Sequence, residues 1–219
     1  MISENLLKIK SELPGNVRLI AVSKTKTISQ IMEAYNAGQR LFGENKVQEM
    51  SIKYAELPKD IQWHLIGHLQ SNKVKYIASF VSVIHSVDSF KLLEVIDKEA
   101  SKNNHTIDCL LQVYIADEET KFGFDKNEIT IMLESNEFRN LKNTRIIGLM
   151  GMATFTDDFT KVKTEFRGLS DFFKILKTKY FFTNPFFKEL SIGMSNDYHV
   201  AIEEGSTLIR VGSKIFGNR

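Results

Sequence analysis

Short apolar runs alternate with longer amphipathic stretches along all 219 residues of the chain. The run Leu19-Ile20-Ala21-Val22 is too short for a helix and rich in branched carbons, the pattern of a strand buried on both faces. Runs of this kind recur, and strands are predicted over 17–22, 40–43, 62–66, 81–84, 107–115, 144–150, 187–191 and 207–211. Apolar residues at helical spacing fill almost every interval. These helices are 29–37 (capped by Ser29, stopped by Gly38), 46–57, 71–80, 88–102 (capped by Asp88), 127–134, 159–177 and 196–204. A further helix over 4–13, stopped by Pro14-Gly15, precedes the first strand.

Strict alternation of strand and helix predicts a parallel sheet with crossover helices. Eight such units favour closure into an α/β fold of one (β/α)8 TIM barrel, with an extra amino-terminal helix within 1–16. An open doubly wound sheet is the competing topology. No Gly-x-Gly-x-x-Gly follows the first strand, which weakens the dinucleotide-binding version of that competitor.

Composition narrows this further. Apolar residues make up 42% and charged residues 26%, as in an ordinary globular protein, and a net charge of +2 argues for neither nucleic acid nor an anionic membrane as partner. Three prolines and no Gly/Ser-rich stretch leave no linker, so one domain over 1–219 is expected. No apolar run approaches the roughly 20 residues that span a bilayer, and Met1-Ile2-Ser3-Glu4-Asn5 has no signal pattern, so a cytoplasmic protein is expected. The single cysteine, Cys109, excludes an intrachain disulfide and reads as an inert buried thiol within the apolar run 107–113.

In a barrel the carboxyl ends of all strands share one mouth. Lys24 ends the first strand there, where partial desolvation favours the neutral, nucleophilic amine. The plain alternative is a lysine that solvates a strand end. Two Gly/Ser turns, Gly193-Met194-Ser195 and Gly212-Ser213, follow the seventh and eighth strands, where barrels commonly hold phosphate on backbone N–H groups and hydroxyls. An amine across a mouth from a phosphate cradle suggests Schiff-base chemistry on a phosphorylated aldehyde or ketone. Pyridoxal 5′-phosphate and the sugar phosphate of a class I aldolase both fit that description. Arg210 points inward if Ile209 and Val211 face the helices, and could meet a pyridine nitrogen, leaving it unprotonated and the ring a weak electron sink. Asn45, at the end of the second strand, could stack on or bond to the ring. His64 alternates within a strand and reads as a packed residue; His68 and His85 stand at strand ends and are better site candidates. No metal-ligand spacing surrounds them, so no metal is expected. The aromatic run 180–187 reads as helix–barrel packing, with an exposed patch for a partner as the alternative.

Several motifs closely resemble the YggS/PROSC family of pyridoxal-phosphate homeostasis proteins. Among them are Ala21-Val22-Ser23-Lys24-Thr25, Phe42-Gly43-Glu44-Asn45-Lys46-Val47-Gln48-Glu49 and Lys121-Phe122-Gly123-Phe124. Leu190-Ser191-Ile192-Gly193-Met194-Ser195, Arg210-Val211-Gly212-Ser213-Lys214 and, most specific of all, the block from Trp63-His64-Leu65-Ile66-Gly67-His68 to Lys73 complete the match. They run in family order from about residue 17 to the last residues. The resemblance implies the fold-type III barrel shared with the amino-terminal domain of alanine racemase, without that enzyme's second domain. By position it implies Lys24 as the Schiff-base lysine, Ser195 with Gly212 and Ser213 as the phosphate cradle, and Arg210 facing the ring. It also implies a secondary role in cofactor handling for Lys26 and Lys121. Gly151-Met152-Ala153-Thr154-Phe155 departs from the shorter turn of many relatives.

The function expected is a pyridoxal 5′-phosphate carrier that buffers or delivers the cofactor, without established turnover. Its expected partners are the cofactor itself and, transiently, apo-enzymes that need it, and the expected state is a monomer. A pyridoxal-dependent amino-acid racemase is the alternative, but it would need an acid–base pair on both faces of the ring, and no obvious tyrosine stands opposite Lys24.

Overall fold

Eight strands pair in chain order, every pair parallel, and the last returns to the first to close a barrel. In the computed structural model, which describes residues 1–116 and 122–217, the strands are β1 (Arg18–Val22), β2 (Leu41–Glu44), β3 (Gln62–Leu65), β4 (Val83–Val87), β5 (Ile107–Gln112), β6 (Thr144–Met150), β7 (Glu189–Met194) and β8 (Leu208–Val211). The helices are α1 (Ile2–Glu12), α2 (Ile28–Asn36), α3 (Val47–Glu56), α4 (Phe90–Lys102), α5 (Lys126–Glu134), α6 (Asn136–Arg139), α7 (Phe159–Lys179), α8 (Tyr198–Glu203) and α9 (Ser213–Phe216).

Strand alternation builds two cores. Leu19, Ala21, Ile209 and Val211 join the large cluster between sheet and helices, while Ile20, Val83, Leu110, Ile147, Met150 and Leu208 fill the barrel interior. The amino-terminal helix buries Leu6 and Ile9, and Asn5 Nδ2 donates to the Ile215 carbonyl at 3.1 Å, tying α1 to the end of the chain.

The differences from the sequence pattern have local causes. Residues 71–80 form a 3₁₀ segment over Ser71–Tyr76 instead of an α-helix, its N–H groups bonding three residues back, as from Lys73 to Gln70. Val81 closes that segment through Ile77, so β4 starts at Val83 and His85 and Ser86 lie within the sheet instead of at its end. Thr27, not Ser29, caps α2, in a reciprocal box with Gln30. Ser89, not Asp88, caps α4, and Asp88 turns to His68 at 3.0 Å. β5 is shorter than the apolar run, and β7 is shifted toward Met194 because Phe187 packs in the outer core between Phe173 and Phe181. The aromatic run thus packs through Phe181 and Phe187, whereas Phe182 is exposed. Cys109 is buried, and burial raises its thiol beyond the range where it would ionise.

Candidate functional site

A cavity of about 680 Å³ opens at the carboxyl ends of the strands. Lys24, Lys26, Asn45, Ser195, Arg210, Gly212 and Ser213 all line it. Lys121 lies outside the described residues.

Lys24 follows the end of β1 by two residues, beyond the buried Ser23. Its side chain has no hydrogen-bond or ion-pair partner among the described residues, so the amine stands open to the cavity. Lys26, two residues on, lines the same cavity, but its Nζ donates to the carbonyls of Gly217 at 3.1 Å and Phe216 at 3.4 Å. Asn45 is set by the neighbouring strand end. A Cβ on Gly67 would meet the Asn45 carbonyl oxygen at 2.5 Å, so only glycine lets the chain after β3 pass this close.

Arg210 lies inside the barrel, as its alternation with Ile209 and Val211 requires. Its guanidinium has no direct carboxylate partner among the described residues: Nη1 donates to the Ser191 carbonyl at 2.8 Å and to Ser191 Oγ at 2.6 Å, and Nη2 to the Gly151 carbonyl at 3.0 Å. Burial among neutral acceptors lowers its pKa to about 10, opposed by nearby Asp197. The cation is therefore fixed in orientation, with its charge only partly compensated, at the edge of the cavity.

The two Gly/Ser turns meet. Gly193 has φ +94°, a left-handed turn that a side chain would strain and that its contact with Ala201 leaves no room for. It reverses the chain so that Ser195 faces β8, where the Gly212 N–H donates to Ser195 Oγ at 3.3 Å. Ser213 opens the short helix α9 beside them. The two turns thus bring two hydroxyls and the Gly212 amide together at the cavity wall, a donor set suited to a phosphate, while Arg210 lines the same cavity from β8.

Sequence reasoning missed the roles of Asp197, Lys53 and Glu44. Asp197, which also lines the cavity, fell within the predicted helix 196–204. Its Oδ1 accepts the Met194 N–H at 2.5 Å and burial pushes its carboxyl pKa up. Lys53 of α3 is buried and bonds to Glu44, Glu49 and the Ser23 carbonyl; its place on the apolar stripe between Met50 and Leu57 was the available signal. Glu44 also accepts from Ser23 Oγ at 2.6 Å, and burial raises its pKa. His85, read as a mouth residue, lies buried in the barrel. Its Nδ1 is 3.0 Å from Ser191 Oγ and its Nε2 2.8 Å from His64 Nδ1, forming a polar chain beneath Arg210. His68 does lie near the rim, paired with Asp88 and against the Phe122 ring, but not among the cavity residues. No cluster of potential metal ligands occurs among the described residues.

Comparison with known proteins agrees with the fold. The family described as the alanine racemase N-terminal domain matches residues 1–219. A pyridoxal phosphate homeostasis protein from Aquifex aeolicus (strain VF5) is 40% identical over 203 residues, covering 92% of this chain and 87% of the relative. The protein of that name from Escherichia coli (strain K12) is 33% identical over 232 residues, covering 100% and 97%. The structure of PipY from Synechococcus elongatus PCC7942 superposes with a TM-score of 0.93 without PLP, at 39% identity, covering 99% and 100%. With PLP bound it superposes at 0.89 and 38% identity, with the same coverage. An alanine racemase from Clostridium difficile 630 shares only the fold: the TM-score is 0.79 at 14% identity, and the match covers 56% of that chain.

Proposed function

Because this chain belongs to the family of pyridoxal phosphate homeostasis proteins, built on the alanine racemase N-terminal barrel, we propose that it binds pyridoxal 5′-phosphate and buffers or delivers it. Lys24 would hold the cofactor as a Schiff base, Ser195, Gly212 and Ser213 would hold its phosphate, and Asn45 and Arg210 would face its ring.

The residues present fit that group. The observation that carries the reading is the placement of one open amine, a converging set of hydroxyl and amide donors and one buried guanidinium around a single cavity of about 680 Å³. When bound, the cofactor supplies an aldehyde that condenses with a primary amine, and a ring that withdraws electrons when its nitrogen is protonated. A guanidinium facing that nitrogen would keep it unprotonated and the ring a weaker electron sink. The described residues lining the cavity include no tyrosine to serve as a second acid–base group beside Lys24.

Carriage further implies transient contact with apo-enzymes, and the monomer is the form we expect to perform it. A secondary handling role for Lys26 would require its ammonium to leave the Gly217 and Phe216 carbonyls; the same role is proposed for Lys121. Among the described residues no helix is long and apolar enough to cross a membrane.

The test is the absorption spectrum of the purified chain mixed with pyridoxal 5′-phosphate. A band near ~420 nm is expected, with the borohydride-reduced adduct mapping to Lys24 and both absent in Lys24→Ala. A colourless wild-type mixture would overturn cofactor binding. Racemisation of alanine at ordinary enzymatic rates, roughly 1–10³ per second, would overturn carriage in favour of catalysis.

A further inference from the structure

Thr25, the residue after Lys24, has φ +64°. A β-branched side chain is a poor occupant of this left-handed region, and such a conformation persists only where the surroundings impose it. Here the turn is closed by its own bond from the Lys26 N–H to the Ser23 carbonyl at 3.0 Å and is gripped from outside by a largely buried ion cluster. Lys53 Nζ spends its three donors on the Ser23 carbonyl at 2.7 Å, Glu44 Oε1 at 2.7 Å and Glu49 Oε1 at 2.6 Å. The same Glu49 oxygen accepts the Thr25 N–H at 2.6 Å, and Glu44 Oε1 accepts from Ser23 Oγ.

The two backbone groups gripped by Lys53 and Glu49, the Ser23 carbonyl and the Thr25 N–H, flank Lys24. Nothing grips Lys24 itself: its side chain has no hydrogen-bond or ion-pair partner among the described residues. A buried ion cluster is weak evidence for stability, since apolar residues of similar volume often pack as well. This one fixes backbone on both sides of the residue that must reach into the cavity, and it does so against local conformational preference.

We propose that Lys53 and Glu49 are positioning residues for Lys24, holding the Ser23-Lys24-Thr25 turn in a strained form that aims the Lys24 amine at the incoming aldehyde. The inference rests on the reading of Lys24 as the cofactor-bearing lysine. In the step concerned, Lys24 Nζ forms a C=N bond to the aldehyde carbon, and the carbonyl oxygen leaves with the two amine hydrogens as water. The cluster takes no part in that exchange. It acts through the turn, by keeping the amine within reach.

The turn's strain supplies a test that a merely structural role would not pass. Glycine adopts a left-handed conformation without a steric penalty, so Thr25→Gly should make the grip less necessary. The full-length chain is mixed with pyridoxal 5′-phosphate, and formation of the ~420 nm band is followed in time for wild type, Lys53→Met, Glu49→Ala and each combined with Thr25→Gly. Far-ultraviolet circular dichroism and the fluorescence of the single tryptophan, Trp63, verify folding. Glu49 is partly exposed, so Glu49→Ala keeps the test in hand should Lys53→Met fail to fold. The expected result is band formation at least tenfold slower in the single variants, recovering to within threefold of wild type when Thr25→Gly is added. Wild-type rates in Glu49→Ala, or no recovery in its double variant, would overturn the proposal. Failure of the wild-type chain to form any Lys24 adduct would instead overturn the reading on which it rests.

Discussion

The backbone N–H of Gly212, at the end of β8, donates to the hydroxyl oxygen of Ser195, which follows β7, at 3.3 Å. One bond thus joins the two turns proposed to hold the phosphate, and on that proposal the two hydroxyls beside it contact the phosphate and not the pyridoxal ring.

That division of labour predicts selective losses. Ser195→Ala and Ser213→Ala should each weaken pyridoxal 5′-phosphate by roughly 10–100-fold, the value of a hydrogen bond to a charged group at about 1.5–3 kcal/mol. Binding of pyridoxal, which lacks the phosphate, should stay within about threefold of wild type. Paired titrations with the two compounds check this; equal losses for both would mean that the hydroxyls serve the fold instead of the phosphate.

Gly67 predicts a steric effect on Asn45. An added methyl would sit 2.5 Å from the Asn45 carbonyl oxygen and 2.8 Å from its Cα, both backbone atoms that cannot swing aside. Gly67→Ala should therefore cost about 1–3 kcal/mol of stability, the range for overpacking a filled site, and weaken cofactor binding by moving Asn45. Urea denaturation and a cofactor titration measure the two effects. Normal stability with normal binding would show that the strand ends can spread.

How much of this was legible in the sequence depends on how local each signal is. Lys24 was readable because an apolar strand stops directly before it, and Arg210 because Ile209 and Val211 on either side fix its direction. Eight alternating strand–helix units favoured the closed order that the barrel shows, with an open doubly wound sheet as the competitor. Beyond its place on the apolar stripe nothing marked Lys53 as buried, because its three acceptors come from the residue after β1, from β2 and from its own helix, and a lysine in an amphipathic helix ordinarily faces water. His85 was misplaced for a related reason. The apolar run 81–84 looks like a whole strand, and only the hydrogen bonds of Val81 with Ile77 and Ser82 with Trp63 show that pairing starts later. Polar residues inside a barrel are recognised by partners on other strands, which no short sequence window contains.

Asp197 places a carboxylate in the cavity wall with the turns proposed to hold the phosphate, where burial already disfavours its charge. Asp197→Asn keeps an oxygen to accept the Met194 N–H and removes the negative charge. At pH 7 the variant should bind pyridoxal 5′-phosphate about three- to tenfold more tightly, up to about 1.4 kcal/mol of relieved repulsion. The gain should shrink at high salt. Titrations at two ionic strengths decide the matter, and weaker binding by the variant would show instead that the charge is needed to hold the turn.

The histidine pair predicts how stability depends on acidity. With His64 Nδ1 and His85 Nε2 2.8 Å apart, one proton lies between the rings and both are neutral. Burial lowers the pKa of His64 to about 3 and that of His85 well below its ordinary value of 6.5. In the unfolded chain both take up protons as pH falls through about 6.5, while the native state does not. Their contribution to stability is thus complete above that value and is lost on acidification, by about 1.4 kcal/mol per pH unit for each ring. Glu44 and Asp197, raised by burial, act in the opposite sense, because the native state protonates them first. Comparing variants cancels that contribution. His85→Asn retains an acceptor for Ser191 and removes one titrating ring, so its slope between about pH 6 and 5 should be about 1.4 kcal/mol per unit shallower than that of wild type. Urea melts followed through Trp63, buried next to His64, supply the measurement, and parallel slopes would mean that the pair protonates in the native state.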